Sequence, residues 1–329
     1  MPARLICRPV ALLFSVMLIV AGVSHAEEPT KAAGFRQLVQ TRQRALMQEV
    51  IAYVQQNPGA ADADAARHWI LETAISGGLE DIALSTAVAR LSERALDADA
   101  ANLARRVQCL GLAKSGQINE SLSSFDELLR GARFQAANRT LDFAHQLSVQ
   151  ARLNGDLEAS RAVYERLVAA FPINPVIAEI AETRMAKIGL IGKPSPPFSA
   201  SDTTGEAVEL AEFSDKVLIL DFWATNCPPC IEELPQLKAL HDEFHPHGLE
   251  IVGVSLDERV SEVEEFKSRR QLPWRMVMNE QPAGRLQTAF RVVTIPSLFL
   301  IDQKGNVVNV DLYGGNLRAA VAKLLPGKE

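Results

Sequence analysis

The sequence predicts a two-part chain of α + α/β class. A helical-repeat domain spans residues 27–190, and an α/β domain with a mixed central sheet spans 191–329. Three observations predict this. From Lys31 to about Leu190 the apolar residues recur at the helical period in Ala- and Leu-rich stretches, with no β-branched runs. At Leu190–Phe198, "LIGKPSPPF" then crowds Pro and Gly into a segment no helix can cross. Beyond it the apolar runs become short and β-branched and alternate with helical stretches, the pattern of a sheet with helices on its faces.

Residues 1–26 read as an export signal. Arg4 and Arg8 form its positive head, Val10–Val23 its apolar run, and Ser24 and Ala26 the small residues before the expected cut. The run is short for a membrane span, so no span is expected after cleavage, and an uncleaved segment would act as an anchor. Cys7 would leave with the signal. The exported chain would keep Cys109, Cys227 and Cys230 in a disulfide-permissive compartment, the periplasm or cell envelope. At net charge −6 and without a Lys/Arg-rich run, the chain lacks the clustered cations that phosphate neutralisation demands. Nucleic acid is not an expected partner.

In the helical part, "SGGLED" at Ser76, "SGQINE" at Ser115 and "NGDLEA" at Asn154 place Gly77, Gly116 and Gly155 at intervals of 39 residues. Evenly spaced glycine turns between helices are the signature of stacked helical hairpins. The stretch "GDLEASRAVYERLVAAFPINP" resembles the second helix of a tetratricopeptide-type unit, with Tyr164 and Pro172 in matching places, although the spacing exceeds that family's usual unit. Cys109 falls on the first helix of such a hairpin, where a small residue lets two helices approach. A buried, inert thiol is expected there.

In the second part, "KVLILDFW", "LEIVGVSL", "SLFLID" and "NVVNVDLY" read as strands. Between them, "PCIEELPQLKALHDEF" and "RVSEVEEFKSR" read as helices, and a last helix follows "YGGN". The "DQKG" turn, Asp302–Gly305, joins two apolar runs as a hairpin and makes the sheet mixed.

"FWATNCPPC", Phe222–Cys230, carries the chemistry. Pro228 and Pro229 mark the first turn of a helix, where a missing N–H costs nothing. Cys227 then stands at the helix N-terminus, where unpaired N–H groups and the helix dipole favour a thiolate. Cys230 is one turn further and within its reach. Such a pair can attack a substrate disulfide through Cys227 and release the mixed disulfide through Cys230. A structural zinc site is the rival. It needs four ligands, and there is no second Cys-x-x-Cys; His241, His245 and His247 stand at the far end of the same helix, where solvated side chains are expected.

"DFWATNCPPC" together with "TIPSLFLID" resembles the thioredoxin-fold oxidoreductases, and most of all their exported TlpA/ResA type. The likeness runs from Gly192 to about Leu325 and takes in "KPSPPF", "GVSLDE" and "LFLIDQKGNVV". It implies a thioredoxin-like fold for 191–329 and a disulfide reductase whose redox-active Cys227–Cys230 pair needs no dissociable cofactor. It also implies a cis peptide bond before Pro296, with Thr294 and Ile295 offering backbone to a substrate strand. Trp223, Asn226, Pro228 and Pro229 would complete that groove. Asp221 matches a buried acid that assists the resolving thiol, and Glu233 an acid kept near the thiols. A desolvated carboxyl has a raised pKa and shuttles protons near neutrality. A strand-end Asp reaching solvent is the bland alternative for Asp221, and an exposed helix Glu, no different from Glu232, for Glu233. The expected partners are protein disulfide clients and, by family precedent, a membrane thiol carrier that donates electrons. Pro235 would kink the active-site helix, as it does in the family. Asn226 departs from the pattern, which usually has Trp before the first Cys. Ala224 stands where a thiol peroxidase would need Thr. A protein-binding scaffold with a thioredoxin-like passenger, or a net oxidase or isomerase, are the competing functions.

Overall fold

The computed structural model describes residues 35–93, 97–131, 137–281 and 284–325. The export-signal reading and Cys7 lie outside the described residues. The chain divides at Met47: residues 35–46 are the N-terminal part of a helix, and one compact unit starts at Met47.

Helices fill the first half: α1 (Phe35–Gln56), α2 (Ala63–Gly77), α3 (Glu80–Leu91), α4 (Ala98–Lys114), α5 (Ile118–Gly131), α6 (Ala137–Leu153), α7 (Leu157–Ala170) and α8 (Pro175–Ile188). The pairs α2/α3, α4/α5 and α6/α7 close in one way. Gly78, Gly116 and Gly155 adopt left-handed φ values of 67°, 78° and 83°. In each, the next N–H reaches a carbonyl five residues back: Leu79 to Ala74, Gln117 to Leu112 and Asp156 to Ala151, at 2.9–3.0 Å. That is the Schellman closure, which only glycine enters without a Cβ penalty. The left-handed residue of the first pair is Gly78 and not Gly77, which is the last residue of α2. Helices α3 and α4 approach most tightly at Gly111, where a Cβ would lie 2.6 Å from the Glu80 carbonyl oxygen. Two residues away, Cys109 is fully buried and donates its S–H to Ser124 Oγ on α5 at 3.3 Å.

The second half adds β1 (Ser199–Ser201), β2 (Ala207–Glu209), β3 (Val217–Trp223), α9 (Pro228–Phe244), β4 (Leu249–Ser255), α10 (Val260–Arg270), β5 (Arg275–Met278), β6 (Glu280–Gln281), β7 (Gly284–Arg285), α11 (Leu286–Ala289), β8 (Ser297–Ile301), β9 (Val307–Val310) and α12 (Gly314–Leu324). Five strands form a mixed sheet in the order β5-β4-β3-β8-β9. Strands β4 and β5 run parallel to β3, β8 is antiparallel to β3, and the edge strand β9 is antiparallel to β8. The fold is thioredoxin-like. Sequence reading missed β5, the β1–β2 and β6–β7 ladders and α11, all of them four residues or shorter; the last helix starts inside "YGGN", at Gly314.

Central strand β3 is buried along its whole length, so both of its faces are apolar. Leu218, Leu220 and Phe222 join a core that continues into α4–α8. Val217, Ile219 and Trp223 face the other way, against α9, α10 and α12. Asp221 shares that second face and is the one acid in the strand.

Helices from the first half and the segment after them flank the edge strand β9. Gly192 N donates to Val307 O (2.8 Å), and Val307 N donates to Lys193 O (2.9 Å). From α6, Arg152 donates to Val310 O and to Asn309 Oδ1, both at 3.0 Å. Its remaining fork meets Ser148 Oγ and Ser160 Oγ. A buried guanidinium is tolerable because each arm finds an acceptor.

Candidate active site

Strand β3 ends at Trp223, and four residues later the chain enters α9 with Cys227 as its N-cap. Cys227 Sγ accepts the Cys230 N–H at 3.3 Å, and the two cysteines are joined in a disulfide with Cα atoms 5.3 Å apart. Pro228 and Pro229 take the first helical positions, where the lost N–H groups have no helical partner to miss. Both cysteines are buried, Cys227 at 7 % exposure and Cys230 at 3 %, so the N-capping residue is the less covered of the two. Asn226, Pro228 and Pro229 are exposed around it.

A carboxylate holds the turn in front of Cys227. Asp257 accepts from Thr225 N (2.9 Å), Thr225 Oγ1 (2.6 Å) and Ser255 Oγ (2.7 Å). Leu256 N donates to Trp223 O at 2.9 Å, tying the same turn to β4. Asp257 lies in "GVSLDE", a stretch whose family likeness carries no signal for this role.

Asp221 is buried at 5 % exposure and lies opposite Gly253 in the parallel β3/β4 register. A Cβ on Gly253 would fall 2.4 Å from Met276 Sδ and 3.0 Å from Trp223 Nε1, so the strand beside Asp221 has no room for a cationic side chain. Burial, then the nearby Glu233 charge, pushes the Asp221 carboxyl up to about 7. Glu233 itself is partly buried and raised, by burial first and Glu232 second, whereas Glu232 is exposed. Of the two acids on the first turns of α9, Glu233 is the one facing Asp221.

The segment before β8 closes the site. Phe222 pairs with Ser297 across β3 and β8, which sets Pro296 alongside the end of β3 where the redox turn begins. The Ile295–Pro296 bond is cis. Ile295 packs against the core that holds both cysteines, and Thr294 is exposed. Trp223, expected in the substrate groove, is instead fully buried. As an odd-numbered residue of β3 it points beneath α9 and α10 and lies 5.2 Å from the Phe266 ring.

Four further residues differ from expectation or escaped it. His241 is buried, its ring stacked on His245 at 4.4 Å and near Trp274, and not solvated at the helix end. Tyr313 carries a buried hydroxyl with no hydrogen-bond partner among the described residues, and burial followed by the Asp311, Asp221 and Glu233 charges holds it well above the usual phenol range. Lys187 and Asp311 form a buried ion pair behind Ser297. Their separation of 124 residues left no local signal. Cys109 stays apart from the site; burial pushes its thiol up to about 12. Among the described residues no cluster of three or more His, Cys, Asp or Glu is placed to hold a metal, and no helix is long and apolar enough to cross a membrane.

Comparison with known proteins centres on the second half. Residues 191–310 match the AhpC/TSA family. Thiol-disulfide oxidoreductase ResA of Bacillus thuringiensis is 32 % identical over 118 residues, covering 36 % of this chain and 67 % of the relative. ResA of Halalkalibacterium halodurans is 32 % identical over 123 residues, covering 37 % and 69 %. A solved thioredoxin domain of a thiol-disulfide oxidoreductase from Bacteroides vulgatus is 26 % identical with a TM-score of 0.38, spanning 41 % of this chain and 97 % of its own.

Proposed function

The chain belongs to the thioredoxin-like family of ResA thiol–disulfide oxidoreductases, and from that membership we propose that it is an exported reductase of disulfides in envelope proteins, working through the Cys227–Cys230 pair. One observation carries the reading: Cys227 Sγ caps α9 and accepts the Cys230 N–H just beyond the strand that carries a buried acid held near neutrality. In the reduced protein, the same N–H and the helix dipole favour a Cys227 thiolate.

That thiolate attacks one sulfur of the client disulfide. A bond forms between Cys227 Sγ and that sulfur, and the other client sulfur leaves as a thiolate that takes up a proton. Asp221, ionised in part near neutral pH, removes the Cys230 proton. The Cys230 thiolate then attacks Cys227 Sγ, restores the disulfide and frees the second client thiol. The client gains two electrons and two protons, and the dithiol is oxidised. Glu233 carries the Asp221 proton to solvent from its half-buried position on α9. Thr294, Ile295 and Pro296 flank the client strand, with Asn226, Pro228 and Pro229 as the exposed rim.

A reductant in an oxidising compartment must be recharged, and a membrane thiol carrier is the partner we assign to that step. The helical hairpins, closed by repeated glycine turns, serve client selection; Ile173 between α7 and α8 and Val176 in the first turn of α8 are exposed apolar side chains available for contact. Insulin reduction is the test. Wild type should precipitate the insulin B chain, and Cys230→Ser should stall as a trapped mixed disulfide. Background activity in both, with no trapped adduct, refutes the reductase and leaves a binding scaffold. A measured potential as oxidising as about −120 mV would make the protein a net oxidase.

A further inference from the structure

The helical half reaches the redox site through a buried charge. Lys187, the penultimate residue of α8, is 3 % exposed, and its Nζ donates to Ser297 Oγ at 2.9 Å and to Asp311 Oδ2. Ser297 Oγ donates in turn to Asp311 Oδ1 at 3.0 Å. Asp311 Oδ1 also accepts Leu298 N (3.2 Å), and Asp311 N donates to Leu298 O (2.7 Å). Through Asp311 Oδ1, Asp311 N and Lys187 Nζ the cluster therefore bears on residues 297 and 298, the head of β8 immediately after Pro296. Burial alone would raise the Asp311 carboxyl, yet the Lys187 charge and hydrogen bond hold it below the usual carboxylate range. A buried ion pair of this kind is geometrically demanding: neither partner can move without stranding a charge.

Strand β8 is already laddered to β3 on one side and β9 on the other. What Lys187 adds is a fixed distance between α8 and the residue that follows Pro296. We propose that Lys187 is a positioning residue of the redox site: through Asp311 and Ser297 it clamps the Pro296–Ser297 backbone against which a client strand docks. The seating of α8 and the affinity for client would then be coupled. The proposal rests on the reductase reading for its kinetic arm only.

The test uses the full-length protein. Lys187→Met leaves Asp311 buried without its cation and is expected to lower stability. Lys187→Met with Asp311→Asn removes both charges and keeps an acceptor for Ser297, and Asn tolerates the positive φ of 50° at that position. This double variant should fold. Its KM for insulin should rise about fivefold or more while kcat stays within about twofold, the signature of lost substrate positioning. Hydrogen exchange supplies an arm that needs no activity. Peptides covering 292–300 should exchange about tenfold faster in the double variant, with β4 peptides unchanged as the sign that the fold is intact. An unchanged KM in the double variant, or equal exchange at 292–300, overturns the proposal. A wild type that fails to reduce insulin defeats the reductase reading instead, and the exchange arm alone then decides the clamp.

Discussion

Replacing Asp221 by Asn should stabilise the oxidised protein, and only above a definite pH. In the folded state the carboxyl titrates at about 7; in the unfolded chain it titrates near the ordinary aspartate value of 3.8. Below both values the group is protonated in either state and contributes nothing. Between them the folded protein holds a proton that the unfolded chain has released, so stability falls as pH rises through this window and then levels off. A difference of about 3 units at about 1.4 kcal/mol each amounts to about 4 kcal/mol lost by pH 8. Asn has the shape of Asp and no charge to desolvate, so the variant escapes this loss. Urea unfolding of oxidised wild type and Asp221→Asn, measured from pH 4 to pH 8, checks it. With a slope of about 3 kcal/mol/M, the variant's midpoint should exceed that of wild type by about 1 M at pH 8 and by almost nothing at pH 4. A constant difference across the range, or one that grows toward acid, would show that Asp221 is ionised throughout and refute the reasoning.

The same substitution should slow release of the mixed disulfide by about 10²-fold at pH 7, with recovery at higher pH as Cys230 ionises unaided; single-turnover kinetics on a trapped adduct would show it. Gly111→Ala should destabilise the helical half by about 1–3 kcal/mol, since its Cβ would meet a backbone oxygen that only a helix shift can move; thermal unfolding reads this directly. Cys109 should resist thiol reagents in the reduced, folded protein and react only on unfolding, a contrast that timed alkylation with mass spectrometry would detect. Asp257→Ala should cost about 1–3 kcal/mol, because Thr225 and Ser255 lose the acceptor that holds the turn before Cys227.

Much of the site was legible because its signals are local. The Cys-Pro-Pro-Cys run, the strand before it and the Pro after Thr294-Ile295 each announce themselves within a few residues. Asp221 was legible as an acid inside an apolar run. Trp223 misled because strand alternation, not nearness in sequence to Cys227, decides which way a side chain points. His241 misled because a late helical residue was assumed wet, whereas Trp274, remote in sequence, covers it. Gly77 and Gly78 are a case of finer grain: spacing finds a turn, and only backbone geometry says which glycine bends. The Lys187–Asp311 pair left no trace at all, since a buried ion pair joining α8 to the residue after β9 follows no period and no motif.

The way the helical half meets β9 bears on how this protein could be dissected. A fragment beginning near residue 191 would lose Arg152 from Val310 O and Asn309, and Lys187 from Asp311, while keeping the redox cysteines intact. Its sheet would end in a partly bare strand offering backbone acceptors to any neighbour, a template for intermolecular pairing. Self-association and a shortened shelf life are what such a fragment should display, even where its thiol chemistry survives. The helices therefore cover an edge that the sheet would otherwise expose, and a thioredoxin-like domain isolated from them should be the stickier molecule.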